Sequence, residues 1–383
     1  MKPDDWMSAE EALAALAIKP QSLYAYVSRG RLRAIPDPSD SRKSLYSRHD
    51  VRALKQKKRR PRGRADIAAG TIAWGEPVLE SSISTVRDGQ LYFGETLASE
   101  LADTQTLEQV AARHWGIPEF EPATPATDIP AATSAKARGY TFLAEAAATG
   151  TACLGRPKEV LARRDAASLL SGFADAMIGT RHSGPIHTRL QTAWHLSNHG
   201  GDQIRRALVL ISDHELNPSS FAVRVAASTG TPLAAAALAG YAALNGARHG
   251  DATARAEQFL RSALQHSDLT ALVNQSAEFG GYAMGFGHPL YPDGDPRAAS
   301  LISALEPSPA LSGILQETAD ILGNAPNIDA GLGTLSIALD LPEDAAFTLF
   351  AIGRMAGWLA HAIEQITSGE LIRPRARYVA RKA

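Results

Sequence analysis

From residue 66 onward, apolar residues recur at the three- and four-residue spacing of amphipathic helices, as in 166–176 and 346–363. Strand-like alternation of useful length is confined to Ser82–Tyr92. The pattern predicts a mostly α-helical fold. Residues 120–137, rich in Pro, Ala and Thr, interrupt it and predict a long surface loop. The longest low-charge stretch, Ala226–Ala247, is broken by Pro232 and glycines, and its best helical portion, Pro232–Leu244, is too short to span a bilayer.

The first 65 residues follow a different pattern. Ser8-Ala9-Glu10-Glu11 is a capping-box signature for a helix that continues through Ala12, Leu13, Leu16 and Ile18. Lys19-Pro20 restarts the chain into a second short helix, Gln21–Arg29, which stops at Gly30. Two extended pieces, Arg31–Ile35 and Ser44–Tyr46, flank a turn rich in Pro, Asp and Ser, and Asp50 opens a last helix running into Lys55–Arg60. Over the whole chain, 39 Lys+Arg oppose 40 Asp+Glu. That balance conceals a split: residues 1–65 carry 16 basic against 7 acidic residues (net +9), and the remainder 23 against 33 (net −10). Such asymmetry marks a candidate nucleic-acid-binding segment.

This layout resembles the winged helix-turn-helix of the MerR and excisionase families, through Glu10-Glu11-Ala12, Leu23–Val27, Gly30, Ser44-Leu45-Tyr46 and Asp50-Val51. The resemblance implies that the second helix enters the major groove of double-stranded DNA, with Ser22, Tyr24 and Arg29 facing bases, and that Arg42 and Lys43 meet the phosphate backbone. A basic surface followed by a solvated linker is the plainer alternative.

The lone Cys153 excludes an intramolecular disulfide. Acidic Asp4 and Asp5 with no apolar core after them give no expectation of a secretory signal, so a soluble, cytoplasmic protein is expected. No glycine-rich phosphate loop, cysteine pair or His-Glu-x-x-His spacing occurs, and no metal is expected.

Four polar clusters interrupt the apolar helices: Asp213-His214-Glu215-Leu216-Asn217, Asn245–Gly250 with His249, Gly285-Phe286-Gly287-His288 followed by Asp295-Pro296-Arg297, and Asn327-Ile328-Asp329 through Arg354 to Arg373-Pro374-Arg375. A His beside glycine is by itself more often a helix-end cap than a catalyst, and Asp295-Pro296-Arg297 alone could be a turn with a local ion pair. Arg354 is different, because it interrupts the apolar run Phe347–Ala360, where an unpaired guanidinium is costly to bury. It requires an anionic partner, from the protein or from a ligand, and a guanidinium fork suits a carboxylate. Together the clusters suggest a pocket for a small polyanion.

In order and separation these clusters resemble citrate synthase, strongly over 207–383 and weakly before that. The resemblance implies large and small helical domains, with 66–245 and 343–383 forming the large one and 246–342 the small one. It implies condensation of an acyl-CoA with oxaloacetate, in a homodimer, with no cofactor beyond the acyl-CoA substrate. Asp329 would be the base, His249 would hydrogen-bond the thioester oxygen, and His288 would polarise the ketone of oxaloacetate. His214, Arg297 and Arg354 would hold the carboxylates, with Arg373 contributed by the second subunit.

The sequence also departs from the family. Pro289 and Pro292 stand where basic residues are common after His288. Gly250-Asp251-Ala252-Thr253-Ala254 replaces a common Gly-Gly-Ala-Asn-Glu, and Leu91-Tyr92-Phe93-Gly94 lacks the usual arginine before glycine. These changes are expected on the acyl-CoA side. Two readings follow: a working citrate or 2-methylcitrate synthase with a DNA-binding appendage, or a transcription regulator whose body senses a carboxylate without turnover.

Overall fold

A computed structural model describes residues 6–16, 18, 23, 26–27, 32–37, 40–48, 50–51, 79–120, 128–132, 134–246, 249–277, 284–376 and 378. The chain divides into two compact units, Met1–Glu80 and Ser81–Ala383. The expected cut after Ala65 falls outside the described residues.

In the first unit, β1 (Trp6–Met7) leads into α1 (Ala9–Leu16), and β2 (Ala34–Asp37) and β3 (Asp40–Ser47) complete an antiparallel sheet of order β1-β3-β2. The predicted capping box is formed. Ser8 N donates to Glu11 Oε2 (2.8 Å) and Glu11 N donates to Ser8 Oγ (3.2 Å), satisfying free donors at the start of α1. The helix then buries Ala12 and Leu16 with Leu23, Leu32, Tyr46 and Val51. The strands run further toward each other than Arg31–Ile35 and Ser44–Tyr46 predicted, since Asp37 pairs with Asp40.

The second unit opens with a meander, β4 (Ser84–Arg87), β5 (Gln90–Phe93) and β6 (Thr96–Leu97). Asp88 and Gly89 turn the hairpin with positive φ (50° and 70°), as a two-residue Asp-Gly connection does. Helices follow: α2 (Ala98–Thr104), α3 (Leu107–Trp115) and α4 (Ala135–Thr149); a short turn and a π-helical stretch, Leu161–Ala166, lead into α5 (Ala167–Ile178). Then come α6 (Ile186–Ala193), α7 (Asn198–Leu210), α8 (Pro218–Ala227), α9 (Leu233–Leu244), α10 (Asp251–Ala263), α11 (Leu269–Ala277), α12 (Pro296–Leu305), α13 (Pro309–Leu322), α14 (Ile328–Ala338) and α15 (Ala345–Ser368). Of the predicted loop 120–137, residues 121–127 and 133 lie outside the described set; Ser134 caps α4.

Helix α15 is buried on every side and is the axis of the main core. Among the described residues it alone is long and apolar enough to cross a bilayer, and that apolar surface is wholly buried inside the protein. A second core gathers Phe259, Leu260, Val273, Met284, Phe286, Leu311 and Leu315. Helices α12 and α14 belong to both: Leu301, Leu305, Leu332 and Leu335 pack into the main core, and Ile302, Ala330 and Ile337 into the second.

Candidate functional site

One face of α15 fixes the turn that follows α7. Arg354 Nε donates to Ile211 O (2.9 Å), Gly357 N donates to Ser212 O (3.0 Å), and His361 Nε2 lies 3.2 Å from Asp213 Oδ1. Positions 354, 357 and 361 share a helix face and meet three successive residues of the turn. Gly357 is required there, since a Cβ would collide with Ser212 O and Asp213 Oδ1. Strand β4 grips the turn from the other side. Ser84 Oγ donates to Asp213 Oδ2 (2.5 Å) and accepts from Glu215 N (2.8 Å), while Val86 N donates to Glu215 Oε1 (2.6 Å). These bonds hold Glu215 at φ 47°, a left-handed conformation that a non-glycine residue adopts at a cost. His214 is thereby aimed inward and buried.

His214 Nε2 meets Tyr291 OH at 2.8 Å, and its ring stands edge-on to His288 with centroids 5.1 Å apart. Leu290 N donates to His288 Nδ1 (3.2 Å), so the neutral ring carries its proton on Nε2, which is free to donate. Burial and the nearby Arg297 lower the His288 pKa to about 4, keeping it neutral. Burial first, and the nearby Arg297 and Arg354, push His214 well below its ordinary value as well.

Asp295-Pro296-Arg297 is both a cap and a site element. Asp295 caps α12, accepting from Arg297 N (3.0 Å), and pairs with Arg297 through Nε (3.0 Å) and Nη2 (2.7 Å). It also accepts from Ile328 N (3.0 Å), tying α12 to the start of α14. Burial opposes the Arg297 charge but Asp295 outweighs it, and the guanidinium pKa is raised.

Asp329 sits in the first turn of α14, where Asn327 caps the helix and takes its N–H. Its carboxylate accepts from Thr253 Oγ1 (2.5 Å), and burial raises its pKa. His249, in the turn before α10, places Nε2 2.9 Å from Ser219 Oγ. Ser219 also faces Asn217 Oδ1 (2.6 Å) and accepts from Trp358 Nε1 (3.1 Å). Its single hydroxyl proton therefore serves either Asn217 or His249; when it goes to His249, the neutral imidazole carries its own proton on Nδ1. Burial and Arg354 lower the His249 pKa to about 3.

Arg354 is 1% exposed. Its side chain bonds a carbonyl, not a carboxylate, and stacks 5.0 Å over Phe350, whose ring also lies 6.1 Å from His249. No carboxylate stands within ion-pair distance of it among the described residues. Burial lowers its pKa to about 10, against the longer-range pull of Asp213. The protein thus retains a buried cation whose guanidinium fork has no anion on it.

The chain brings His214, His288 and Arg297 together around Tyr291, with Arg354 and Asp329 within electrostatic reach of Arg297 and with His249 beside Phe350. Arg373 is exposed beyond α15 and joins none of these contacts in the single chain. Ser22, Tyr24 and Arg29 lie outside the described residues, as does the side chain of Arg42; Lys43 is exposed on β3. Sequence reasoning gave no role to Tyr291, Thr253 or His361. Tyr291 lies three residues after His288, and His361 two helical turns after Arg354.

Two departures have a different meaning in three dimensions. Phe93 is fully buried, edge-on to His114 at 4.8 Å, and His114 Nε2 contacts Ser212 Oγ (3.1 Å) behind the His214 turn. Asp251 does not present a bare charge, because Lys136 Nζ holds its Oδ1 at 2.7 Å.

The family description "Citrate synthase, C-terminal domain" matches residues 131–375. A citrate synthase of Haloferax volcanii is 35% identical over 188 residues, covering 46% of this chain and 49% of that protein. Citrate synthase 2 of Bacillus subtilis is 33% identical over 190 residues, covering 46% and 50%. A 2-methylcitrate synthase of Corynebacterium glutamicum is 30% identical over 183 residues, covering 45% and 48%. The matching region thus spans about half the length of these relatives. Among solved structures, a citrate synthase of Thermoplasma acidophilum in ternary complex with carboxymethyl coenzyme A and oxaloacetate superimposes with TM-score 0.66 at 23% identity, over 80% of this chain and 95% of that one. The citrate synthase of Thermotoga maritima gives 0.63 at 23% identity, over 81% and 95%. The helical body has the citrate synthase fold, and with the family description matching well over half of its residues, the chain belongs to the citrate synthase family.

Proposed function

We propose that the Ser81–Ala383 unit condenses a short acyl-CoA with oxaloacetate, releasing CoA and citrate or a 2-alkyl homologue. The observation that carries this reading is Arg354, a buried guanidinium with no carboxylate on it among the described residues, set with Arg297, His214 and His288. A dicarboxylate supplies the missing anion. Nε2–H of His288 donates to its ketone oxygen and makes the carbon electrophilic.

The reaction begins when Asp329 takes a proton from the acyl carbon beside the thioester. Negative charge moves to the thioester oxygen, where Nδ1–H of His249 meets it once Ser219 donates to Nε2. The enol carbon then attacks the polarised ketone, forming the carbon–carbon bond, and the new alkoxide takes a proton from the His288 side. Water cleaves the thioester, giving a carboxylate and the CoA thiol. Neutral His249 and His288 suit hydrogen-bond donation to a forming oxyanion. No cofactor is needed beyond the acyl-CoA substrate. In a homodimer, Arg373 would reach the dicarboxylate of the neighbouring subunit.

The test is thiol release from acetyl-CoA and propionyl-CoA with oxaloacetate. Release that Asp329→Asn abolishes, with oxaloacetate binding kept, supports the reading. Absence of release, together with carboxylate binding that shifts DNA affinity, favours the sensor.

The Met1–Glu80 unit reads as a winged helix-turn-helix DNA reader. Its net +9 over residues 1–65, the β2–β3 wing with exposed Lys43, and the capped α1 support this. Binding to duplex DNA that weakens steeply with salt is expected; affinity indifferent to salt would remove phosphate contact from the account.

A further inference from the structure

Thr253 is a side chain in direct contact with the assigned base. It lies on α10, fully buried, and its Oγ1 donates to Asp329 Oδ1 at 2.5 Å. A threonine hydroxyl inside a helix ordinarily turns back to the carbonyl four residues earlier, which here belongs to His249; this one reaches across to another helix instead. The two helices are locked in register around it. Ser336 Oγ on α14 donates to Glu257 Oε1 on α10 (2.9 Å), and a Cβ at Gly333 would come within 3.0 Å of the Glu257 backbone. Asn327 takes the Asp329 N–H, leaving the carboxylate free of capping duty. Among the described residues no second hydrogen bond reaches that carboxylate, so Oδ1 is held and Oδ2 keeps its lone pairs. The chain carries Thr253 where the family commonly has asparagine.

We propose that Thr253 is a positioning residue for Asp329, anchoring Oδ1 so that Oδ2 is presented to the acyl carbon. His249, which meets the oxygen of the same thioester, lies four residues earlier, so one short segment sets both the oxyanion donor and the orientation of the base. The role has a chemical consequence as well. A donor to the ionised carboxylate favours that form, opposing the effect of burial, so Thr253 lowers the pKa of the base. This rests on the assignment of Asp329 as the base.

The test compares Thr253→Val, nearly isosteric but without the hydroxyl, with Thr253→Ser, which restores it. In Thr253→Val we expect kcat to fall about 10- to 100-fold, in the range of a misaligned general base, with oxaloacetate affinity unchanged. The acid limb of the pH profile should move to higher pH, and Thr253→Ser should recover both. A second readout does not require turnover: the 13C-carboxyl resonance of Asp329, assigned by its loss in Asp329→Asn, should titrate at higher pH in Thr253→Val. No CoA release by the unmodified protein would sink the proposed reaction while this titration still decided the Thr253 contact. A folded Thr253→Val whose Asp329 titrates unchanged would overturn the positioning role. Should Val fail to fold, the same shift is expected in Thr253→Ala, and its absence there would overturn the role equally.

Discussion

His361 places Nε2 3.2 Å from Oδ1 of Asp213, with both side chains shut off from solvent. Asp213 is a fully buried carboxylate whose field reaches Arg354. Burial alone would raise its pKa, but His361, His114 and Arg354 outweigh it and hold the carboxyl at about 2. Asp213→Asn removes the charge that faces His361 at close range and Arg354 at longer range, and unfolding free energy should drop by about 3–5 kcal/mol, as for a broken buried pair. Because the folded pKa is depressed, the charge stabilises fully above the unfolded aspartate range near 4 and less as pH falls toward about 2. Urea denaturation across that interval should give a flatter acid limb for Asp213→Asn. Equal stability of the two proteins at pH 7 would contradict the assignment.

Arg354→Lys keeps a charge but loses the planar fork. Oxaloacetate binding, read by calorimetry, should weaken by about 30-fold or more, since truncating a buried charge partner costs roughly 2–5 kcal/mol. In the unmodified protein, affinity should stay level to about pH 9 and then decline as Arg354 loses its proton around pH 10. Undiminished affinity in Arg354→Lys would place the ligand elsewhere.

Ser219 has one proton for two acceptors, Asn217 and His249. Ser219→Ala removes the donor that leaves the His249 proton on Nδ1. A fall in kcat of about 10- to 100-fold with little change in the KM for oxaloacetate is expected, as for loss of a group that acts in the transition state. A rise in KM alone would assign Ser219 to substrate binding.

Lys136 and Asp251 form a partly exposed pair whose worth to stability is small, about 0–1 kcal/mol. Its larger effect should be on acyl-CoA. Asp251→Ala releases the Lys136 ammonium, and the KM for acyl-CoA should fall several-fold at low ionic strength, with the gain fading as salt is added. A KM indifferent to this substitution would show that CoA phosphates do not approach Lys136.

Contiguous motifs were legible because the chemistry and the local fold use the same residues. Ser8 and Glu11 both announce and form the capping box. Asp295 caps α12 with the same carboxylate that holds Arg297, and Arg354 announced its need by its charge within an apolar helix. Partnerships across long separations were not legible. Thr253 meets Asp329 from 76 residues away, and Ser84 meets Asp213 from 129. The surroundings of Phe93 were hidden for the same reason: its neighbour His114 comes from α3, and only packing reveals that the two lie behind the His214 turn.

Helices α12 and α14 serve both cores, and their N-terminal turns carry Arg297 and Asp329. The second core therefore cannot loosen without pulling Arg297 and Asp329, the proposed substrate cation and base, out of place. Heat inactivation and loss of helical signal should share one midpoint, with no inactive, still-folded species between them. On the proposed reading, catalytic competence and conformational integrity would be a single cooperative property of this body.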